Sequence, residues 1–211
     1  MDAKAAVKVG AFARGGKTRA HLQAADHDFK PDEVLTLFGI FLPTWDEVYL
    51  YLTPSCVTAD FMVDCVQNFW DAFGHSFPKV TTLLINLDNG PENNSRRTQF
   101  MARLAQFADS SRLTIQLAYY PPYHSKYNPV ERVWGVLEQH WNGHLLDARE
   151  TIFQLASSMT WKGVTPVVEF IEKTYAKGVT LSKQAMLLLE QRLTRSLTLP
   201  KWFLLITPQL C

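Results

Sequence analysis

The sequence predicts an α/β protein: a mixed sheet flanked by helices, with a mainly helical C-terminal extension. Three observations carry this expectation. Strand-length apolar segments alternate with segments of helical apolar spacing between residues 7 and 141. One segment, "TTLLINLDNG" (81–90), is apolar almost without interruption, as suits a sheet centre covered on both faces. Beyond Gly143 the composition turns helical.

Each element follows from local chemistry. "VKVGAFA" (7–13) alternates as a strand does, and Gly15-Gly16 then supplies a turn. "VLTLFGIFLP" (34–43) and "EVYLYLTP" (47–54) read as strands, and the short "TWD" between them favours an antiparallel pair. Thr58 is a helix cap, followed by Phe61, Met62, Cys65, Phe69 and Phe73 at helical spacing. After strand 81–90 a helix is expected from about Ser95, with Phe100, Leu104 and Phe107 as its stripe. "LTIQLAYYPP" (113–122) is the next strand, ended by its prolines. In "PPYHSKYNPVERVWGVLEQHWNG" (121–143), Asn128 reads as an N-cap, Pro129 as the first helical residue and Glu131 as the third. That helix buries Val133, Leu137 and Trp141 and ends at Asn142-Gly143. Segments 148–160, 165–177 and 181–196 read as further helices, and 199–208 as a late strand or docking tail.

Three strands, helix, strand, helix, strand, helix is the order of a ribonuclease-H-like sheet. The expected division is a core over residues 1–145 and a helical extension over 146–211 packed on it. A length of 211 residues suits one domain with a small appendage. With 47% hydrophobic and 19% charged residues, wholesale disorder is excluded. No apolar run reaches about 18 residues, so no membrane span is expected. The opening "MDAKAAVKVGAF" has no apolar core of a signal peptide. Three cysteines without C-x-x-C spacing argue against a disulfide framework or a cysteine zinc site, and point to a reducing cytoplasm. A net charge of +1 argues against a simple nucleic-acid coat protein. It suits an enzyme on DNA whose acidic metal ligands offset basic patches.

Three carboxylates stand where such a sheet gathers ligands. Asp88 ends the most apolar strand, Asp2 precedes the first strand, and Glu131 opens the helix after the strand 113–122. In a ribonuclease-H-like sheet the first and fourth strands are neighbours, so Asp2 and Asp88 are expected to face each other beneath Glu131. Convergent carboxylates repel, and a divalent cation relieves that. Mg²⁺ prefers oxygen ligands, and two ions serve in-line phosphodiester attack. Plainer readings stand beside these. Asp88-Asn89-Gly90 is a turn sequence, Asp2 an exposed terminal acid, and Glu131 a capping-box residue. Gly135, four residues after Glu131, either admits a bulky ligand or relieves crowding against an aromatic neighbour.

Flanking groups suit phosphate contacts: Arg14, Lys17 and Arg19; Arg96 and Arg97; and His124, Ser125, Lys126 and Asn128. Tyr119, Tyr120, Tyr123 and Tyr127 are candidates for stacking on bases or for packing. Asp26 and Asp28 rival Asp2 as first ligand, with His27 between them.

"INLDNGPENNSRRTQF" followed by "LAYYPPYHSKYNPVERVWGVLEQHWNG" resembles the DDE transposases of bacterial insertion sequences, most closely the ISAzo-type branch. "MDAKAAVKVGAFARGGKTR", "ADHDF", "TADFMVDCVQNFW" and "MTWKG" extend the likeness over most of the chain. The resemblance implies a ribonuclease-H-like core and a triad of Asp2, Asp88 and Glu131 that binds Mg²⁺ or Mn²⁺, two ions in all. It implies nicking of DNA at element ends, then attack of the freed 3′-hydroxyl on target DNA. The implied partners are DNA and a second or full-length transposase copy, in the bacterial cytoplasm at the nucleoid. Such enzymes usually carry an N-terminal helix-turn-helix, so a catalytic-domain fragment or a truncated frame is expected here. A truncated transposase that binds DNA or the intact enzyme without cutting is the alternative. A stand-alone nuclease such as a junction resolvase fits the fold order but not the P-P-Y-x-S-K-Y-N-P-x-E motif.

Overall fold

The structure, a computed structural model, describes residues 1–13, 16–19, 24, 30–121 and 127–209. In chain order the elements are β1 (Asp2–Ala3), β2 (Val7–Val9), β3 (Glu33–Leu42), β4 (Glu47–Thr53), α1 (Ala59–Phe73), β5 (Thr82–Leu87), α2 (Thr98–Ser111) and β6 (Thr114–Tyr119). There follow α3 (Val130–His140), α4 (Arg149–Ser158), β7 (Val167–Phe170), α5 (Lys183–Glu190), β8 (Leu193–Arg195) and β9 (Phe203–Ile206). They form two mixed sheets in two compact units. The first unit comprises Asp2–Cys56 and Pro129–Thr174, and the second comprises Met1, Val57–Asn128 and Tyr175–Cys211.

The first unit is built on the β3–β4 hairpin, whose antiparallel register runs from Thr36↔Thr53 to Leu42↔Glu47. Asp46 takes the left-handed conformation of the connecting turn (φ 55°). Its carboxylate accepts from the Lys162 ammonium at 3.0 Å and the Trp161 indole at 3.3 Å. Both β1 and β2 lie antiparallel on β3, with Asp2 opposite Gly39 and Val7 opposite Leu35. β7 extends the sheet parallel to β4. Leu35, Leu37, Leu50 and Leu52 share a core with Val130, Val133, Trp134 and Leu137 of α3 and Ile152 of α4.

Gly39 makes that packing possible. A Cβ there would lie 2.8 Å from the Trp134 ring and 2.9 Å from Val130 Cγ2. Real Cβ atoms do not approach so closely, so the missing side chain lets the start of α3 press onto β3.

In the second unit β5 and β6 are parallel, joined through α2, and β9 and β8 continue the sheet antiparallel. α1 begins as expected: Thr58 Oγ1 accepts from Phe61 N, and Phe61, Met62, Cys65 and Phe69 are buried. α2 buries Phe100, Leu104 and Phe107. Arg103 of α2 donates to Asp60 at 2.7 Å and to Asp64 at 2.6 Å on α1. Burial works against its charge, yet the Asp64 and Asp60 carboxylates hold the guanidinium above its ordinary pKa. Tyr175 donates to the other Asp64 oxygen at 2.8 Å and so ties the C-terminal segment to α1.

Several expectations are corrected. The single sheet is two sheets: among the described residues β5 pairs with β6 alone, while β1 pairs with β3. β5 is therefore an edge strand of its own sheet, and Leu84 is 53% exposed rather than covered. The strand expected over 7–13 is confined to Val7–Val9, because Gly10 turns the backbone to φ 143°. The helix expected over 165–177 is instead β7, whose β-branched Val167 and Val168 pair with Tyr49 and Leu50 after the helix-breaking Pro166. The helix expected over 181–196 stops at Glu190, and Leu193–Arg195 forms β8. Residues 199–208 supply β9, seated between β6 and β8.

Gly39→Ala is expected to destabilise the protein by about 1–3 kcal/mol, the usual range for overpacking a filled core. A lowered chemical-denaturation midpoint checks this.

Candidate functional site

Asp88 follows β5 at its C-terminal end and is half-buried. One of its oxygens is pinned. Oδ1 accepts from the Gly90 amide at 3.2 Å and from the Asn93 side-chain amide at 2.8 Å. The turn chemistry read in Asp88-Asn89-Gly90 is thus present: Asn89 is left-handed (φ 63°) and the Asp side chain closes the turn. Oδ2 takes no hydrogen bond from a described residue. Asn93 is 2% exposed and is itself fixed, because the Tyr119 hydroxyl donates to its carbonyl at 2.9 Å. Burial holds the Tyr119 phenol well above its ordinary pKa, with Arg195 opposing and the Asp88 carboxylate reinforcing. It therefore stays a neutral donor.

Glu131 lies in the first turn of α3, half-buried, and joins no other described residue by hydrogen bond or ion pair. The expected capping box does not form. α3 starts at Val130, Pro129 occupies the cap position, and no side chain caps it. Asn128, only 1% exposed, instead donates its amide to the Met1 carbonyl at 3.4 Å. Within the same unit the Met1 ammonium donates to the Asn86 carbonyl at 3.0 Å. Gly135 meets nothing within 4 Å of an added Cβ, so it relieves no crowding and leaves open space on the helix surface.

Asp2 sits half-buried in β1, with Oδ1 accepting from the Ala3 amide at 2.8 Å. Its cross-strand partner is Gly39, the same residue against which Val130 and Trp134 pack. The first unit thus sets Asp2 beside the strand position that carries the start of α3, one residue from Glu131. Asp88 belongs to the second unit. Among the described residues no three His, Cys, Asp or Glu side chains gather as a metal-holding group.

The basic candidates divide. Lys17, Arg19 and Arg96 are exposed. The Arg19 backbone donates to the Gly143 carbonyl at 2.8 Å, and its Cγ lies 2.8 Å from where a Gly143 Cβ would stand. Arg97 is paired with Glu92 at 3.0 Å. Asn128 is removed from solvent. Tyr119 is buried, and Tyr127 is 59% exposed. Arg14, Tyr123, His124, Ser125, Lys126, Asp26, His27 and Asp28 lie outside the described residues.

Sequence reasoning missed Asn93 and Gly39. The asparagine-rich "DNGPENN" held a signal for the first, since a polar residue five positions after Asp88 can fold back on it. Gly39, inside an apolar strand, is the mark of a close approach.

No helix among the described residues is long and apolar enough to cross a membrane. No curated protein and no solved structure matches the chain. A family model described as the Rhodopirellula transposase DDE domain matches residues 1–208. With the match running through all three carboxylates, the chain belongs to the DDE transposases of insertion sequences.

Proposed function

We propose that this chain is a catalytic domain that cuts DNA at the ends of an insertion sequence and transfers the freed strand to target DNA. The observation that carries this reading is the family match over residues 1–208, with Asp88 held by the loop that follows it. The proposed catalytic and metal-binding residues are Asp2, Asp88 and Glu131. The order of strands and helices from β2 to α3 supports a ribonuclease-H-like core.

The donors suit hard divalent cations. One Asp88 oxygen meets no donor among the described residues, while Gly90 N and Asn93 fix the other and so set the carboxylate plane. The Glu131 side chain pairs with no described residue and lies on the helix that carries the open position Gly135. Carboxylate oxygens of this kind are ligands for Mg²⁺ or Mn²⁺. When bound, a pair of such ions supplies activation of a water or 3′-hydroxyl and stabilisation of the leaving oxygen. The chain itself orients Asp88, holds Glu131 on a rigid helix, and offers the exposed cations Lys17, Arg19 and Arg96 to backbone phosphates. The proposed partners are element-end and target DNA, with further transposase copies, in the bacterial cytoplasm.

A second reading keeps the family membership without the strand chemistry. In it the chain binds DNA or intact transposase without cutting.

Nicking of element-end DNA is expected to require Mg²⁺ or Mn²⁺ and to fall to background in both Asp88→Ala and Glu131→Gln. Gel-resolved strand cleavage distinguishes the readings: no cutting by the unsubstituted chain supports the second, and undiminished cutting by both variants removes the triad assignment. Asn93→Ala is expected to raise the ion concentration for half-maximal nicking by about tenfold, the scale of lost support to a metal ligand. A metal titration of the nicking rate measures this, with the unfolding midpoint as control.

A further inference from the structure

Beside Asp88 the second unit carries an open cleft of about 310 Å³. Asn89, Gly90, Asn94 and Ser95 of the post-β5 loop form one wall, and Arg96 and Lys201 line it too. The sheet explains how Lys201 reaches this place. β5 and β6 are parallel, so both end at the edge where Asp88 leaves the sheet. β9 is antiparallel to β6, with Phe203 opposite Ala118, so the turn entering β9 stands at that same edge. Lys201 is on that turn.

The cleft is electrostatically one-sided, since no carboxylate lines it. Of the acids nearby in sequence, Asp88 turns Oδ1 to Gly90 N and Asn93, and the two glutamates are committed to arginines. Glu92 takes Arg97, and Glu190 takes Arg195, which also caps the Ser95 carbonyl at 3.1 Å. The loop wall is held by its own bonds, with the Asn94 amide donating to the Gly90 and Pro91 carbonyls at 3.1 and 3.2 Å. Arg96 and Lys201 are exposed, and neither side chain meets an acceptor among the described residues. Among the described residues that line the cleft, Arg96 and Lys201 are the charged ones, so the lining itself attracts an anion. A guanidinium fork beside an ammonium suits a phosphate.

We propose that Arg96 and Lys201 clamp a backbone phosphodiester of a DNA strand in this cleft, beside Asp88. The proposal rests on the transposase reading and adds to it a contact from the C-terminal segment, whose Lys201 no sequence motif marks.

Binding of a fluorescent duplex oligonucleotide, followed by anisotropy with divalent ions chelated, tests it. Arg96→Ala and Lys201→Ala are each expected to weaken binding by about three- to tenfold, and the double variant to make the log–log salt dependence shallower by about one, the release expected for one phosphate. Lys177→Ala, at an exposed cation that is not among the residues lining the cleft, is expected to leave affinity unchanged. Inorganic phosphate should displace the oligonucleotide no better than chloride at equal ionic strength. Selective displacement by phosphate would assign the cleft to a free anion and overturn the strand clamp. Undiminished binding by the double variant, or an equal loss in Lys177→Ala, overturns the clamp while leaving the transposase reading intact. If the unsubstituted chain binds no DNA, both fall together.

Discussion

The absence of a side chain at Gly39 is the constraint on which the first unit depends. β3 is the strand that β1, β2 and β4 all join, and at Gly39 it meets Asp2 across the ladder and α3 on its face. With Val130 and Trp134 filling the space a Cβ would take, the helix cannot rotate or slide without opening a void in a close-packed core. Val130 and Trp134 flank Glu131 in sequence, so the same packing fixes where the carboxylate emerges. A second constraint acts on Asp88. Tyr119 holds Asn93, Asn93 and Gly90 hold Oδ1, and the other oxygen meets no donor among the described residues.

These two devices differ in kind. Glu131 is positioned by apolar contact, through a helix whose buried face is Val130, Val133, Trp134 and Leu137. Asp88 is positioned by a short polar chain in which every donor is neutral. Neutral donors orient a carboxylate without neutralising it, so its negative charge stays available for a cation. Of the arginines near the loop, Arg97 and Arg195 are paired with Glu92 and Glu190, whereas Arg96 is exposed.

Much of this was legible in the sequence where a local rule is strong. Thr58 capped α1, the stripes of α1, α2 and α3 were buried, and the "TWD" connection gave an antiparallel hairpin. The misreadings share a cause: pairing partners distant in sequence. Val167–Phe170 looked helical in isolation and became a strand because β4 offered an open edge. The apolar β5 looked like a sheet centre, yet its pairing stops at β6. Glu131 looked like a capping residue because the Asn-Pro-x-Glu spacing is that of a cap. The Asn128 side chain was drawn instead to the Met1 carbonyl, 127 residues away. The motif around Asp88 and Glu131 marked them as candidates, whereas the contacts of Asn93 and Gly39 arise only on folding.

The claim most open to test in the proposed function is that Asp88 and Glu131 are each metal ligands rather than a turn former and a surface acid. Mn²⁺ uptake by the DNA-free protein, followed by electron paramagnetic resonance, tests it most directly. The expected result is saturable binding that Asp88→Asn and Glu131→Gln each weaken by about tenfold or more, as loss of a charged oxygen ligand should. Equal Mn²⁺ binding by the unsubstituted protein and both variants would contradict the claim.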